Sequence, residues 1–124
     1  MNIVLHPYFK DEILSGNKRA CMVQEKFLPN LKVTFSTSDG LREVPFATAV
    51  IKEAAQLLIY PKKGFIFRRI QVSAVDQWIK LNAENTKRVI LVEGFAHPDD
   101  FWNNLQTRKP FEVNQFFFEE VTQL

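Results

Sequence analysis

The chain has 124 residues, of which 46% are hydrophobic and 24% charged, and its formal net charge is +2. This length fits a single domain spanning 1–124 with one core, and the composition excludes a chain that is disordered throughout. The mild positive charge permits an anionic partner but lacks the strong basic excess typical of dedicated nucleic-acid binders.

The expected compartment is the cytoplasm. The single cysteine excludes an internal disulfide and so favours a reducing environment. No apolar run approaches the roughly 20 residues of a membrane span. The N-terminal residues also lack the basic and apolar regions of a secretory signal. We therefore expect no membrane partner.

Metal and cofactor binding are not expected either. The chain has two histidines, His6 and His97, and one cysteine. These are too few for the usual zinc ligand sets. The four glycines do not form a phosphate-binding loop motif, so nothing indicates a nucleotide cofactor.

The first third of the chain predicts a helix followed by two strands. Pro7 and the helix-spaced apolar residues after it predict a short amphipathic helix that ends at Gly16. Lys18–Glu25 and Leu31–Ser36 then read as strands, the second followed by a turn that contains Gly40.

The middle of the chain predicts a hairpin and a helix. Residues 46–60 mix helix-forming and strand-forming residues, so their own pattern leaves both open. The strong turn at 61–64 and the β-rich segment 65–72 favour a long hairpin. Residues 73–82 predict a helix with Ser73 as its N-cap. Its apolar face would carry Val75, Trp78 and Ile79.

The last third predicts one further helix and a closing strand. Residues 84–93 fit a helix or a strand equally well. Pro98–Leu105 predicts a short helix, because its acidic first turn suits the positive helix terminus. Phe111–Val121 predicts the closing strand. The whole pattern indicates an α+β fold with about five strands, compatible with a small mixed β-barrel with short helices packed around it.

Three residues could form a reactive site. Lys18 and Cys21 follow the glycine turn, and a nearby cation lowers the pKa of a thiol. A carboxylate such as Glu93 could move or orient protons. Positions 18 and 21 point to opposite faces of a regular strand, so they share a site only if Lys18 lies at the bend after Gly16. The alternative is a solvated lysine, a buried cysteine and a surface glutamate.

A second candidate site lies on the predicted hairpin. Lysine and arginine can hold phosphate while aromatic rings stack on unpaired bases. Strand alternation places Lys63, Phe65, Phe67 and Arg69 on one face, with further cations beside them. This face could bind RNA, or its aromatic half could belong to the core.

Two segments carry a resemblance to a known family. YFKDEILSGNK, with the strand after it, and the later EGFAHPDDFW resemble the ASCH family, whose barrel is similar to the PUA RNA-binding fold. The resemblance spans Tyr8–Lys18 and Glu93–Trp102 in order, while residues 28–82 match in pattern only. It implies an ASCH/PUA-like barrel with a pocket near the glycine-lysine turn.

The resemblance also implies an activity and its residues. Some ASCH members are amidases acting on acylated cytidine, with a lysine, a threonine three residues later and a distant glutamate. Lys18 and Glu93 match two of these as catalytic residues, and Cys21 stands where the threonine is found. Arg19 replaces another usual threonine, and Val23 replaces a usual arginine.

The sequence thus predicts recognition of a nucleoside or RNA element, with amidohydrolase activity on an acylated pyrimidine nucleoside as a further expectation. Catalysis would use Lys18, Cys21 and Glu93. Ligand contacts would come from Tyr8, Arg19 and the hairpin face. The alternative is a non-catalytic protein-interaction module, an adaptor or inhibitor that uses exposed phenylalanines.

Overall fold

A computed structural model describes residues 2–25, 29–72 and 74–124 of the chain. The fold is a mixed α+β arrangement in which a seven-stranded sheet carries short helices. The strands are β1 (Asn2–Leu5), β2 (Ala20–Val23), β3 (Lys32–Ser38), β4 (Glu43–Tyr60), β5 (Phe65–Val72), β6 (Val75–Lys80) and β7 (Phe111–Gln123), and the helices are α1 (Tyr8–Leu14), α2 (Ala83–Leu91) and α3 (Pro98–Asn103).

The long strand β4 organises the sheet. Its first half pairs with β3 and its last four residues pair with β5, while β7 runs antiparallel along its other edge. β1 adds to β3 as a parallel strand, β6 adds to β5, and β2 adds to the outer edge of β7. The pairings of the described residues do not close this sheet into a barrel. The register between β4 and β7 shifts near Thr48 and again near Ile51.

The core has two parts. One cluster packs around Phe35, Ile51 and Phe116, and the other around Leu57, Ile66 and Ile90. β4 and β7 contribute to both clusters, so the long ladder between these strands connects the two parts.

Several sequence predictions are confirmed. The helix before Gly16, the hairpin turn at 61–64, the strand 65–72, the short helix from Pro98 and the closing strand all form. The open segment 46–60 belongs to a single strand, and the open segment 84–93 is mostly α2. The expected number of about five strands was too low, because β1 and β6 were not anticipated.

The helix predicted over 73–82 is wrong, because residues 75–80 form β6. Ser73, its expected N-cap, lies outside the described residues. β6 pairs with β5 along its length, from Val72 with Val75 to Phe67 with Lys80. This pairing satisfies backbone hydrogen-bonding groups of β5, and a helix would leave them without that partner. In the strand, Trp78 lies on the opposite face from Val75 and Ile79.

Candidate functional site

Lys18 lies at the bend between α1 and β2. Gly16 adopts a positive φ of 86°, which ends the helical path, and the Lys18 amide donates to the Glu12 carbonyl at 2.8 Å. The next two amides, of Arg19 and Ala20, both donate to the Val92 carbonyl, at 2.7 and 3.1 Å. Since Val92 caps the C-terminus of α2, these bonds hold the bend against the residues that follow α2.

Glu93 faces Lys18 from that second segment. The Lys18 ammonium donates to the Glu93 carbonyl at 2.9 Å and to Glu93 Oε1 at 3.3 Å. The Met22 amide also donates to Oε1 at 3.0 Å, and Gln115 Nε2 donates to Oε2 at 2.9 Å. Lys18 is 3% exposed and Glu93 5% exposed. The two form a buried ion pair whose carboxylate is held on both oxygens.

A cavity of about 310 Å³ opens beside this ion pair, which is within the size range of small-molecule sites. Lys18, Cys21 and Glu93 all line it, together with Phe9 and Phe95 and aliphatic residues of β1 and β2. The Lys18 ammonium lies 4.7 Å from the centre of the Phe9 ring, a favourable cation–π distance. The cavity therefore combines aromatic walls with a charged, hydrogen-bonding end.

Burial controls the protonation of the two acidic groups. The pKa of the Cys21 thiol is raised to about 12, chiefly by burial, while the Lys18 charge lowers it and the Glu93 charge raises it. Burial likewise raises the pKa of the Glu93 carboxyl, against lowering by Lys18, Gln115 and Met22. Lys18 thus acts on the thiol in the expected direction but is outweighed, and Cys21 is protonated at neutral pH.

Two of the expected ligand contacts lie near the cavity but do not line it. The Tyr8 hydroxyl donates to the Gly94 carbonyl at 3.3 Å, and its ring packs edge-on against Phe9. Tyr8 therefore supports the cavity wall from outside. The Arg19 side chain is exposed to solvent, and only its backbone joins the site through Val92.

Three residues of the predicted hairpin face, Phe65, Phe67 and Arg69, lie on β5, whereas Lys63 lies in the turn before it, and none of the four lines the cavity beside Lys18. Phe67 packs against Tyr60 with ring centres 5.3 Å apart. Arg69 donates to Gln56 at 2.7 Å and forms an ion pair with Asp76. The Lys80 ammonium lies over the ring of Phe65. Lys63 is exposed and lines a neighbouring cleft. Much of this face is thus engaged within the sheet, and it does not join Lys18 and Glu93.

Sequence reasoning missed four residues of the site. Gln115 holds the carboxylate, Phe9 and Phe95 form the walls, and Gly94 gives the Lys18 side chain room. A Cβ on Gly94 would lie 2.9 Å from Lys18 Cβ. The inward position of Gln115 could have been predicted from the sequence, because Gln115 shares a strand face with the buried Val113.

The three consecutive phenylalanines of β7 are buried or half-buried. Phe116 and Phe118 are buried, and Phe117 is half-buried on the other face of β7. No phenylalanine of the described residues is among the exposed large hydrophobic side chains, which are mostly aliphatic.

Within 2–25, 29–72 and 74–124, no group of three or more histidine, cysteine or carboxylate residues could hold a metal ion. The described helices are all too short to cross a membrane. Comparison with protein-family models, curated proteins and solved structures finds no significant match.

Proposed function

We propose that the protein binds the base of a nucleoside, free or within RNA, in the cavity beside Lys18. The observation that carries the proposal is the buried ion pair of Lys18 and Glu93 at the end of a cavity with aromatic walls. A pyrimidine base has a flat face for Phe9 and Phe95 and polar edge atoms for the ammonium. An ASCH/PUA-like fold, in which the open sheet corresponds to the barrel, is part of this proposal.

The hydrogen-bonding capacity of Lys18 supports this ligand class. An ammonium has three N–H donors, and Glu93 accepts two of them. The third is directed at the Cys21 thiol, which receives a side-chain hydrogen bond from Lys18, and a base carbonyl in the cavity would take the place of that thiol as the acceptor. The carboxylate of Glu93 is held by Met22 and Gln115, so Lys18 stays aligned without a ligand. This preorganisation reduces the entropic cost of binding.

Blocking the cavity mouth provides the test. Val4 lines the cavity on β1 and is 43% exposed, so Val4→Trp adds bulk at the rim without breaking the ion pair. Val44 is 42% exposed on β4 and does not line the cavity, so Val44→Trp is the matched control. We expect cytidine binding, followed by calorimetry, to be lost in Val4→Trp and retained in Val44→Trp. Equal binding by both variants would refute the proposed location.

Hydrolysis of an acylated base is a second candidate, because Lys18, Cys21 and Glu93 line the same cavity. Cys21 is a thiol at neutral pH, so its attack on the amide carbonyl would require transfer of its proton to Glu93. Glu93 would pass that proton to the leaving amine, and water would then release the acyl group from the sulfur. Chromatography of N4-acetylcytidine incubated with wild type and with Cys21→Ala tests this. Absence of turnover in wild type that still binds the nucleoside would leave the protein as a binder.

A further inference from the structure

A second cleft, of about 470 Å³, lies beside α2. We call it the α2 cleft. The turn before β5, the end of β6, the cleft-facing side of α2 and the start of α3 form its walls. Its apolar lining comes from Phe65, Leu81, Ile90, Pro98 and Trp102. None of these residues lines the Lys18 cavity, so the two spaces are distinct.

The charged residues that line the α2 cleft are cationic. Lys80 and Lys87 line it, and no aspartate or glutamate among the described residues does. The Lys80 ammonium lies 3.4 Å from the centre of the Phe65 ring, which holds the charge at the cleft wall. Neither lysine has an acidic partner among the ion pairs of the described residues.

Glu84, the acidic residue of α2, does not line the cleft. Ala83, Thr86, Lys87 and Ile90 follow the spacing of one helix face, and all of them line the cleft. Glu84 lies on the flank of this face and accepts from Arg88 at 2.8 Å, one turn later. The positive charges of the cleft therefore face a space in which a ligand would supply the negative charge.

We propose that the α2 cleft binds a small organic anion with a flat apolar body. The body lies on Trp102 and Ile90, and a carboxylate or phosphate group meets Lys87 and the Lys80 ammonium that Phe65 holds. An apolar floor with a few convergent polar groups is the usual composition of a small-molecule site. The positive charges of these two lysines favour a negatively charged ligand. This site is independent of the nucleoside proposal, because it shares no residue with the Lys18 cavity.

Nuclear magnetic resonance of the tryptophan indoles tests the proposal. The chain has two tryptophans, and Trp78→Phe leaves Trp102 in the cleft as the single indole signal. The probes are adenosine 5′-monophosphate and 2-naphthoate, with adenosine and 2-naphthylmethanol as their neutral counterparts. We expect both anions to shift the Trp102 signal and each neutral counterpart to bind at least about tenfold more weakly. The stronger of the two anions identifies phosphate or carboxylate as the preferred group.

Replacing single lysines tests which positive charges bind the anion. Lys80→Gln and Lys87→Gln should each weaken anion binding about three- to tenfold. Lys62→Gln removes an exposed charge from the adjacent turn and should change it less than about twofold. In wild type, anion binding should also weaken as salt rises. The proposal is overturned if the neutral counterparts bind as well as the anions, if Lys62→Gln has the same effect as the other two variants, or if no probe shifts Trp102 at millimolar concentration.

Discussion

Lys18 is the residue on which the site depends most. Lys18→Met leaves the Glu93 carboxylate buried without its cation, and we expect a loss of about 3–5 kcal/mol in unfolding free energy at pH 8. Burial already raises the pKa of Glu93 above its ordinary value of 4.5, and loss of Lys18 raises it further. Between the unfolded and folded pKa values the unfolded chain binds fewer protons, so stability falls as pH rises. The deficit should therefore be smaller at pH 5 than at pH 8, as measured by urea unfolding.

Two further variants separate this effect from lost packing. Lys18→Met combined with Glu93→Gln removes both charges and should recover part of the loss, with little remaining difference between pH 5 and pH 8. Lys52→Met breaks an exposed pair with Glu119 and should cost less than about 1 kcal/mol. A deficit in Lys18→Met that is the same at both pH values and in the double variant would contradict a charged pair.

Cys21 should be almost unreactive in the native protein. With a pKa raised to about 12, its thiolate fraction at pH 8 is on the order of a thousandfold below that of an ordinary cysteine. Alkylation by iodoacetamide, followed by mass spectrometry, should accelerate from pH 7 to pH 10 without levelling off. The urea-unfolded chain is the control, and its rate should level off above about pH 8.5. Rapid native alkylation that levels off near that pH would show an accessible thiol of ordinary acidity.

At this scale, part of the site could be predicted from the sequence. Lys18, Cys21 and Glu93 were selected through motif chemistry and resemblance, and the bend after Gly16 does let the first two line one cavity. The net acidity of Cys21 was not predictable, because it depends on how far burial outweighs a neighbouring charge. Gln115 was missed because its role arises from a contact with Glu93 that only the fold creates.

At the scale of elements, the segment after α2 determines the position of Lys18. Gly94 has a φ of 95°, and an added Cβ would lie 2.9 Å from Lys18 Cβ and 3.4 Å from Glu12 Cβ. Gly94→Ala therefore adds overpacking of about 1–3 kcal/mol to the cost of a left-handed alanine. Gly40 has a similar φ of 90° with nothing within 4 Å, so Gly40→Ala carries the backbone cost alone. Thermal unfolding should show the larger loss for Gly94→Ala, and equal losses would contradict a steric role.

The elements that were mispredicted share one physical feature. β6 is an edge strand whose residues are mostly exposed. Because neither face is fully buried, its sequence does not alternate between apolar and polar residues. The helix-like spacing of Val75, Trp78 and Ile79 therefore determined the prediction. β1 is similarly short and pairs on one edge only. β7 was predicted as a strand, whereas the pattern of residues 46–60 left helix and strand open, and only the turn and the β-rich segment after them favoured a strand for β4.

At the scale of the whole molecule, the ladder between β4 and β7 should be the last part to open. Residues 57–59 of β4 pair with β5 on one edge and with β7 on the other, and Leu57 and Ile59 are buried. Among the described residues β6 pairs with β5 alone, and it exposes five of its six residues. Amides whose opening requires loss of the core exchange only through near-global unfolding, whereas those at exposed edges exchange through local opening.

Hydrogen exchange should therefore be roughly a hundredfold slower for residues 57–59 than for β6. The comparison uses residues of one molecule in one sample, so differences in solution conditions cannot produce it. Equal protection of β6 and the centre of the ladder would mean that the sheet opens as a single cooperative unit.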